Sequence, residues 1–264
     1  SGGVGRGGGG RCGGGERQVD VVGYPGAEGG EKLFQALPEY AGDYREHLRL
    51  GGYKMFLDGS PQSRTAWMRT PYLGSEDRGY PTLTDRQVYG YAERAVREGR
   101  QILAHCVRCP SQEVERMREK GVYIAHCPQS NSNLASGAAP VRLFLDQDMR
   151  VGLGSDIAGG TVLSIFRAMA EAIQVSKLRG RLTGDGLKPL TMEEVFYMGT
   201  LGGGSFFGKV GSFEAGYEFD ALVLDESRIP HPQKLTVRER LERFLYLSGE
   251  DWILHKYVQG RKLF

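Results

Sequence analysis

Three side chains in this 264-residue chain stand where chemistry can be done. Asp156 closes the run Val151-Gly152-Leu153-Gly154-Ser155-Asp156, and His105 and His126 each precede a cysteine, Cys106 and Cys127. A carboxylate or imidazole projecting from a strand end can hold a divalent metal or move a proton. Cys106 and Cys109 form a C-x-x-C that, with His126 and Cys127, could supply the four ligands of a structural zinc. Blander readings stand beside these. Asp156 can cap the helix that follows it, and histidines at strand ends are often hydrogen-bonded core groups. Absences narrow the choice. No histidine has Glu two residues on, so the H-x-E of the zinc cytidine deaminases is missing. H-E-x-x-H and G-x-S-x-G are missing too, and a G-x-G-x-x-G beginning at Gly152 fails at Ile157.

The elements that must position these groups alternate. The spacing predicts a helix over 33–50 interrupted at Pro38, and a strand over 53–57 closed by the turn Asp58-Gly59-Ser60-Pro61. Thr84 with Gln87 forms a capping box for a helix over 84–98, ended by Gly99. A strand over 101–104 then ends at His105. A helix over 111–119 leads to a strand over 122–125 ending at His126, and a helix over 138–147 leads to a strand over 150–153 ending at Asp156. A helix follows over 161–178. Thr191 with Glu194 and Thr236 with Glu239 open two further helices, and strands are expected over 219–224 and 256–264. Strand, loop and helix repeating at roughly 25 residues indicate right-handed βα units around a parallel sheet. Polar residues at the C-terminal ends of the strands favour a barrel, whose chemistry sits at that face.

Composition excludes several classes. The chain is 40% hydrophobic and 25% charged, as a globular protein is. Its 34 basic and 32 acidic residues nearly balance, which argues against a nucleic-acid partner. No apolar run approaches the ~18 residues of a membrane span, so no membrane role is expected. The opening residues carry no apolar signal core, and four cysteines beside histidines suit a reducing, cytoplasmic setting. Of the 40 glycines, 14 fall in the first 30 residues, and residues 1–30 are therefore expected to be a disordered tail.

Two stretches carry a resemblance. Ala104-His105-Cys106, then Ile124-Ala125-His126-Cys127-Pro128-Gln129-Ser130-Asn131, then Val151-Gly152-Leu153-Gly154-Ser155-Asp156 are similar to guanine deaminases of the metal-dependent amidohydrolase superfamily. The similarity continues through Lys188-Pro189-Leu190-Thr191, Gly203-Gly204-Ser205-Phe206-Phe207-Gly208 and Gly216-Tyr217-Glu218-Phe219-Asp220-Ala221. Gly52-Tyr53-Lys54-Met55-Phe56-Leu57-Asp58-Gly59-Ser60 with Arg64-Thr65-Ala66 instead resembles the N-substituted formamide deformylases of the same superfamily.

The first resemblance implies an α/β fold: a partial (β/α)8 TIM-type barrel over 31–215 with a small C-terminal β segment over 216–264. It implies hydrolytic deamination of guanine, a small-molecule purine substrate and a zinc ion. Asp156 then corresponds to a metal ligand that also shuttles protons, His105 to the sixth-strand histidine at metal and substrate, and Asn131 and His126 to substrate-binding positions. A homodimer is left open. The family's first-strand H-x-H and its fifth-strand histidine with the catalytic glutamate three residues on are absent, so the chain is expected to be an incomplete amidohydrolase. Hydrolysis of N-substituted amides and a catalytically silent remnant are the alternatives.

Overall fold

The computed structural model describes residues 18–61, 63–99, 101–103, 111–228 and 230–264. The chain divides into two compact units, Ser1–Met55 with Tyr89–Leu103, and Phe56–Val88 with Ala104–Phe264.

The first unit holds β1 (Val21–Gly23), α1 (Gly30–Ala36), β2 (Leu48–Leu50) and β3 (Gly52–Lys54). Most of α2 (Asp85–Arg97) and then β4 (Gln101–Leu103) complete it. β1 pairs with β2 and β3 with β4, both in parallel. Phe34, Leu50, Tyr53 and Ala95 form its core, with the Phe34 and Tyr53 rings edge to face at 5.2 Å. The Arg94 guanidinium lies over the Tyr53 ring and binds Glu31, while Tyr53 Oη donates to Glu98 at 2.5 Å.

Two expectations change in this unit. Residues 21–23, expected in a disordered tail over 1–30, form β1, because Val21 and Val22 gain a partner in β2. Within the same span Gly26 bridges Lys54, Ala27 is buried and Gly30 opens α1, while residues 1–17 lie outside the described residues. The helix expected over 33–50 stops at Ala36, since Pro38 cannot supply the amide that would continue it. Glu46 and His47 then take left-handed φ of 49° and 62°, turning the chain into β2 instead.

The second unit carries the elements of interest. α3 (Ser111–Glu119) leads to β5 (Tyr123–His126), α4 (Pro128–Asn133) and α5 (Val141–Asp146), and then to β6 (Arg150–Leu153). α6 (Ile165–Thr183) and α7 (Met192–Tyr197) follow, the latter running into a π-helical turn, Met198–Gly202. β7 (Ala221–Leu224), α8 (Val237–Leu247), β8 (Ile253–Val258) and β9 (Arg261–Lys262) end the chain. β5 and β6 are parallel, whereas β7, β8 and β9 form an antiparallel sheet. Val114, Ile124, Phe144, Val151, Met169, Val195, Met198 and Leu245 pack as one core, the inward stripes of helices laid against β5 and β6.

Local chemistry sets the helix starts. Thr191 and Thr236 each accept the N3 backbone N–H while Glu194 and Glu239 bind back, two complete capping boxes. Thr84 and Gln87 exchange the same two bonds at the start of α2. α6 begins at Ile165 rather than 161 because Ser164 accepts the Arg167 N–H as its cap. The strand expected over 256–264 is two strands, folded back at Gln259 and Gly260, whose φ of 50° and 78° make a tight hairpin turn.

Parallel strands followed by helices, closing into no complete ring among the described residues, make a partial (β/α) barrel with a small antiparallel sheet at its C-terminal end. The expected division at 215/216 is not a boundary between compact units: residues 216–264 belong with the helices of the second unit. No helix among the described residues is long and apolar enough to cross a membrane.

Candidate functional site

The pairing of β5 with β6 decides what can meet. Tyr123, Ile124, Ala125 and His126 register with Arg150, Val151, Gly152 and Leu153, so both strands end together. The pairing extends one step further, as Gly154 N–H donates to the His126 carbonyl at 3.0 Å. Asp156 therefore emerges just past the strand end that carries His126.

The loop then folds tightly around Asp156. Asp156 takes a left-handed φ of 44°, and its carbonyl accepts N–H bonds from Gly159 at 2.9 Å and Gly160 at 2.6 Å. Backbone blocks a side chain at Gly160, while at Gly159 a Cβ would displace the Asp156 carboxylate. A Cβ on Gly160 would stand 2.2 Å from the Ser155 carbonyl oxygen, and one on Gly159 would meet Asp156 Oδ2 at 2.8 Å and Ser130 Cβ at 3.1 Å. The same space that excludes a side chain at Gly159 is where the Asp156 carboxylate lies, close against α4.

His126 is 4% exposed, and burial draws its pKa down to about 4. The imidazole is neutral at pH 7, able to donate from one nitrogen and accept at the other. Asn131 on α4 is 7% exposed, its carbonyl accepting from Ser136 N–H at 2.9 Å. Cys127 Sγ lies 2.8 Å from where a Cβ on Gly154 would stand, so it packs against the strand end. His105, Cys106 and Cys109 lie outside the described residues.

Two residues that the sequence reading missed complete the arrangement. Gln129 Oε1 accepts from both Thr161 N–H at 2.8 Å and Val162 N–H at 3.0 Å, and Asn133 Nδ2 donates to the Gly159 carbonyl at 2.8 Å. Their only signal in the sequence is amide side chains in Pro128-Gln129-Ser130-Asn131-Ser132-Asn133, directly after a strand.

Among the described residues, no three His, Cys, Asp or Glu side chains gather as a metal-binding group. Asp156 suits one ligand position, being half-buried at a strand end, but a catalytic zinc takes about three from the protein. Even with His105 added from the sequence resemblance, the donor set falls short of a tightly held ion. A shallow cavity elsewhere in this unit, lined by Arg142, Leu145, Asp146, Glu193, Glu194 and Tyr197, contains none of the candidate residues. Arg142, on its wall, donates to Glu194 through both terminal nitrogens and to the Lys188 and Pro189 carbonyls.

Parallel strands backed by helices, with a carboxylate and an imidazole at the strands' C-terminal ends, define a scaffold of partial barrel type, with polar groups at the face where barrels carry their chemistry. Comparison with known proteins gives that scaffold its family. One amidohydrolase family model matches residues 80–263 and a second matches residues 12–110, so the chain belongs to the amidohydrolase family. It is 30% identical over 204 residues to a guanine deaminase of Dictyostelium discoideum, covering 75% of this chain and 43% of that protein. A human guanine deaminase is 34% identical over 173 residues, covering 61% of this chain and 38% of that protein. The guanine deaminase of C. acetobutylicum, solved with guanine in its active site, superposes with a TM-score of 0.64 at 27% identity, covering 93% of this chain and 71% of that one. The chain thus spans less than half the length of these curated relatives. The two family models overlap over 80–110, a span that includes His105.

Proposed function

We propose that this chain carries the C-terminal part of a guanine deaminase-type site, with Asp156 as its working carboxylate. The observation that carries the reading is the β5–β6 register, which sets Asp156 and the buried, neutral His126 at one strand end beside α4. Asn131 and His126 are the proposed purine contacts. A small planar heterocycle is recognised by a few fixed donors and acceptors inside an otherwise enclosed site, and a neutral imidazole and an amide each offer both. His105 is proposed to join Asp156 at metal and substrate, and a reducing, cytoplasmic setting suits the few cysteines placed beside histidines.

The donor count limits what the chain does alone. An ion held by two side chains exchanges readily, and the general acid supplied by the missing glutamate is worth ~10²–10⁴ in rate. The 264 residues are therefore expected to release no ammonia from guanine, with or without added zinc, and to retain zinc well below one ion per chain. Metal analysis of the purified chain and a coupled ammonia assay test this. Turnover abolished by Asp156→Asn would show that a full ligand set is assembled after all and would overturn the proposal of an incomplete site.

A further inference from the structure

We propose that Gln129 and Asn133 are positioning residues that set the direction of the Asp156 carboxylate. This rests on Asp156 being the carboxylate of the site.

The segment between β6 and α6 has little regular structure of its own, yet it holds two non-glycine residues in the left-handed region, Asp156 at φ 44° and Ala158 at φ 86°. Such residues relax unless their surroundings hold them. The surroundings here are one short stretch of chain. Upstream, Gly154 N–H is fixed on the His126 carbonyl. Downstream, Asn133 holds the Gly159 carbonyl, and the single oxygen of Gln129 holds two successive amides, Thr161 and Val162. All three anchors belong to the segment 126–133.

That segment is itself well fixed. His126 lies in the β5–β6 ladder, Pro128 starts α4 with its φ already set, and Asn131 and Leu134 N–H groups bond back to Cys127 and Ser130 at 3.1 and 2.8 Å. Between the anchors remain only residues 155–158, with Asp156 among them. Removing the Gln129 acceptor unties an exposed amide at Thr161 and a part-buried one at Val162, and the loop is then free to let Asp156 and Ala158 return to ordinary φ. The carboxylate would then leave the space over Gly159. A brace of this kind is more than loop stabilisation, because it decides which way a titratable oxygen points.

The test follows the carboxylate directly. In a tryptic digest Asp156 falls on the peptide 151–167, where it is the only acidic side chain, so carbodiimide-driven amine labelling of that peptide reports Asp156 alone. Gln129→Leu is expected to raise the Asp156 labelling rate several-fold and to speed amide exchange at Thr161 and Val162 by about tenfold. Exchange in the interior of α6 should stay as in the parent chain. Gln129→Glu, which keeps the acceptor, should restore both. Asn133→Ala, which removes only the bond to Gly159, serves as the second variant should Gln129→Leu fail to fold, and is expected to raise labelling as well. Faster exchange with unchanged Asp156 labelling would make the pair a simple brace and overturn the proposal, as would no change in either. Stoichiometric zinc or ammonia release, which would overturn the reading of an incomplete guanine deaminase-type site, would leave these two readouts unaffected.

Discussion

His126 gives the sharpest quantitative handle on the site. Its imidazole is buried and its pKa is drawn from 6.5 to about 4 by desolvation. The sign follows from which state takes the proton. Between pH 6.5 and 4 the unfolded chain binds a proton at this position and the folded chain does not, so acid pulls the equilibrium toward the unfolded state. Stability from this group is complete above pH 6.5 and is lost progressively as pH falls to about 4. Each pH unit in that window is worth about 1.4 kcal/mol, or ~3 kcal/mol across it and ~2 kcal/mol between pH 7 and pH 5. Both tryptophans, Trp67 and Trp252, belong to the unit that holds His126, so their fluorescence reports its unfolding in urea. His126→Gln removes the titration but keeps a polar side chain. The variant will be less stable at every pH, so the informative quantity is the difference in slope. Wild type should lose ~2 kcal/mol more than the variant between pH 7 and pH 5. Parallel pH profiles for the two proteins would refute the reasoning, because they would mean that the imidazole protonates in the folded state as easily as in water.

Other perturbations have equally defined outcomes. Gly160→Ala drives a Cβ to within 2.2 Å of the Ser155 carbonyl, so the Asp156 turn must open, and a loss of about 2 kcal/mol or more is expected in urea unfolding. Arg142→Lys keeps the charge but loses the two-pronged bond to Glu194 and the hold on the 188–189 carbonyls, which should cost about 1–2 kcal/mol in thermal unfolding. Thr236→Ala removes one capping box and should cost about 1 kcal/mol, whereas Thr236→Ser should recover most of it.

What could be read from the sequence follows from the range of the interactions involved. The starts of α2, α7 and α8 were legible because a capping box joins residues three apart, and Thr84, Thr191 and Thr236 state it outright. β5 and β6 were legible as short apolar runs, and with them the arrival of His126 and Asp156 at one end of a parallel pair. β1 was not, because Val21-Val22 sits among glycines and becomes a strand only through a partner 27 residues away. β2 was hidden inside a helical spacing that is broken by two left-handed residues, Glu46 and His47, whose types do not announce that conformation.

The site divides along the same line. A carboxylate after Val-Gly-Leu-Gly advertises itself through its strand, but the residues that aim it do not. Gln129 reaches amides 32 and 33 residues on, and Asn133 reaches a carbonyl 26 residues on, distances over which no periodicity or local motif constrains an amide side chain. The glycines show how the two kinds of information meet. Gly159 and Gly160 are visible in the sequence only as a flexible pair, yet one leaves room for the Asp156 oxygen and the other for the Ser155 carbonyl. Their small size is required by the same close packing of loop on helix that Gln129 and Asn133 enforce from the other side. The placement of Asp156 is thus set by contacts that the β5–α4 segment makes with its loop, none of which a local sequence pattern announces.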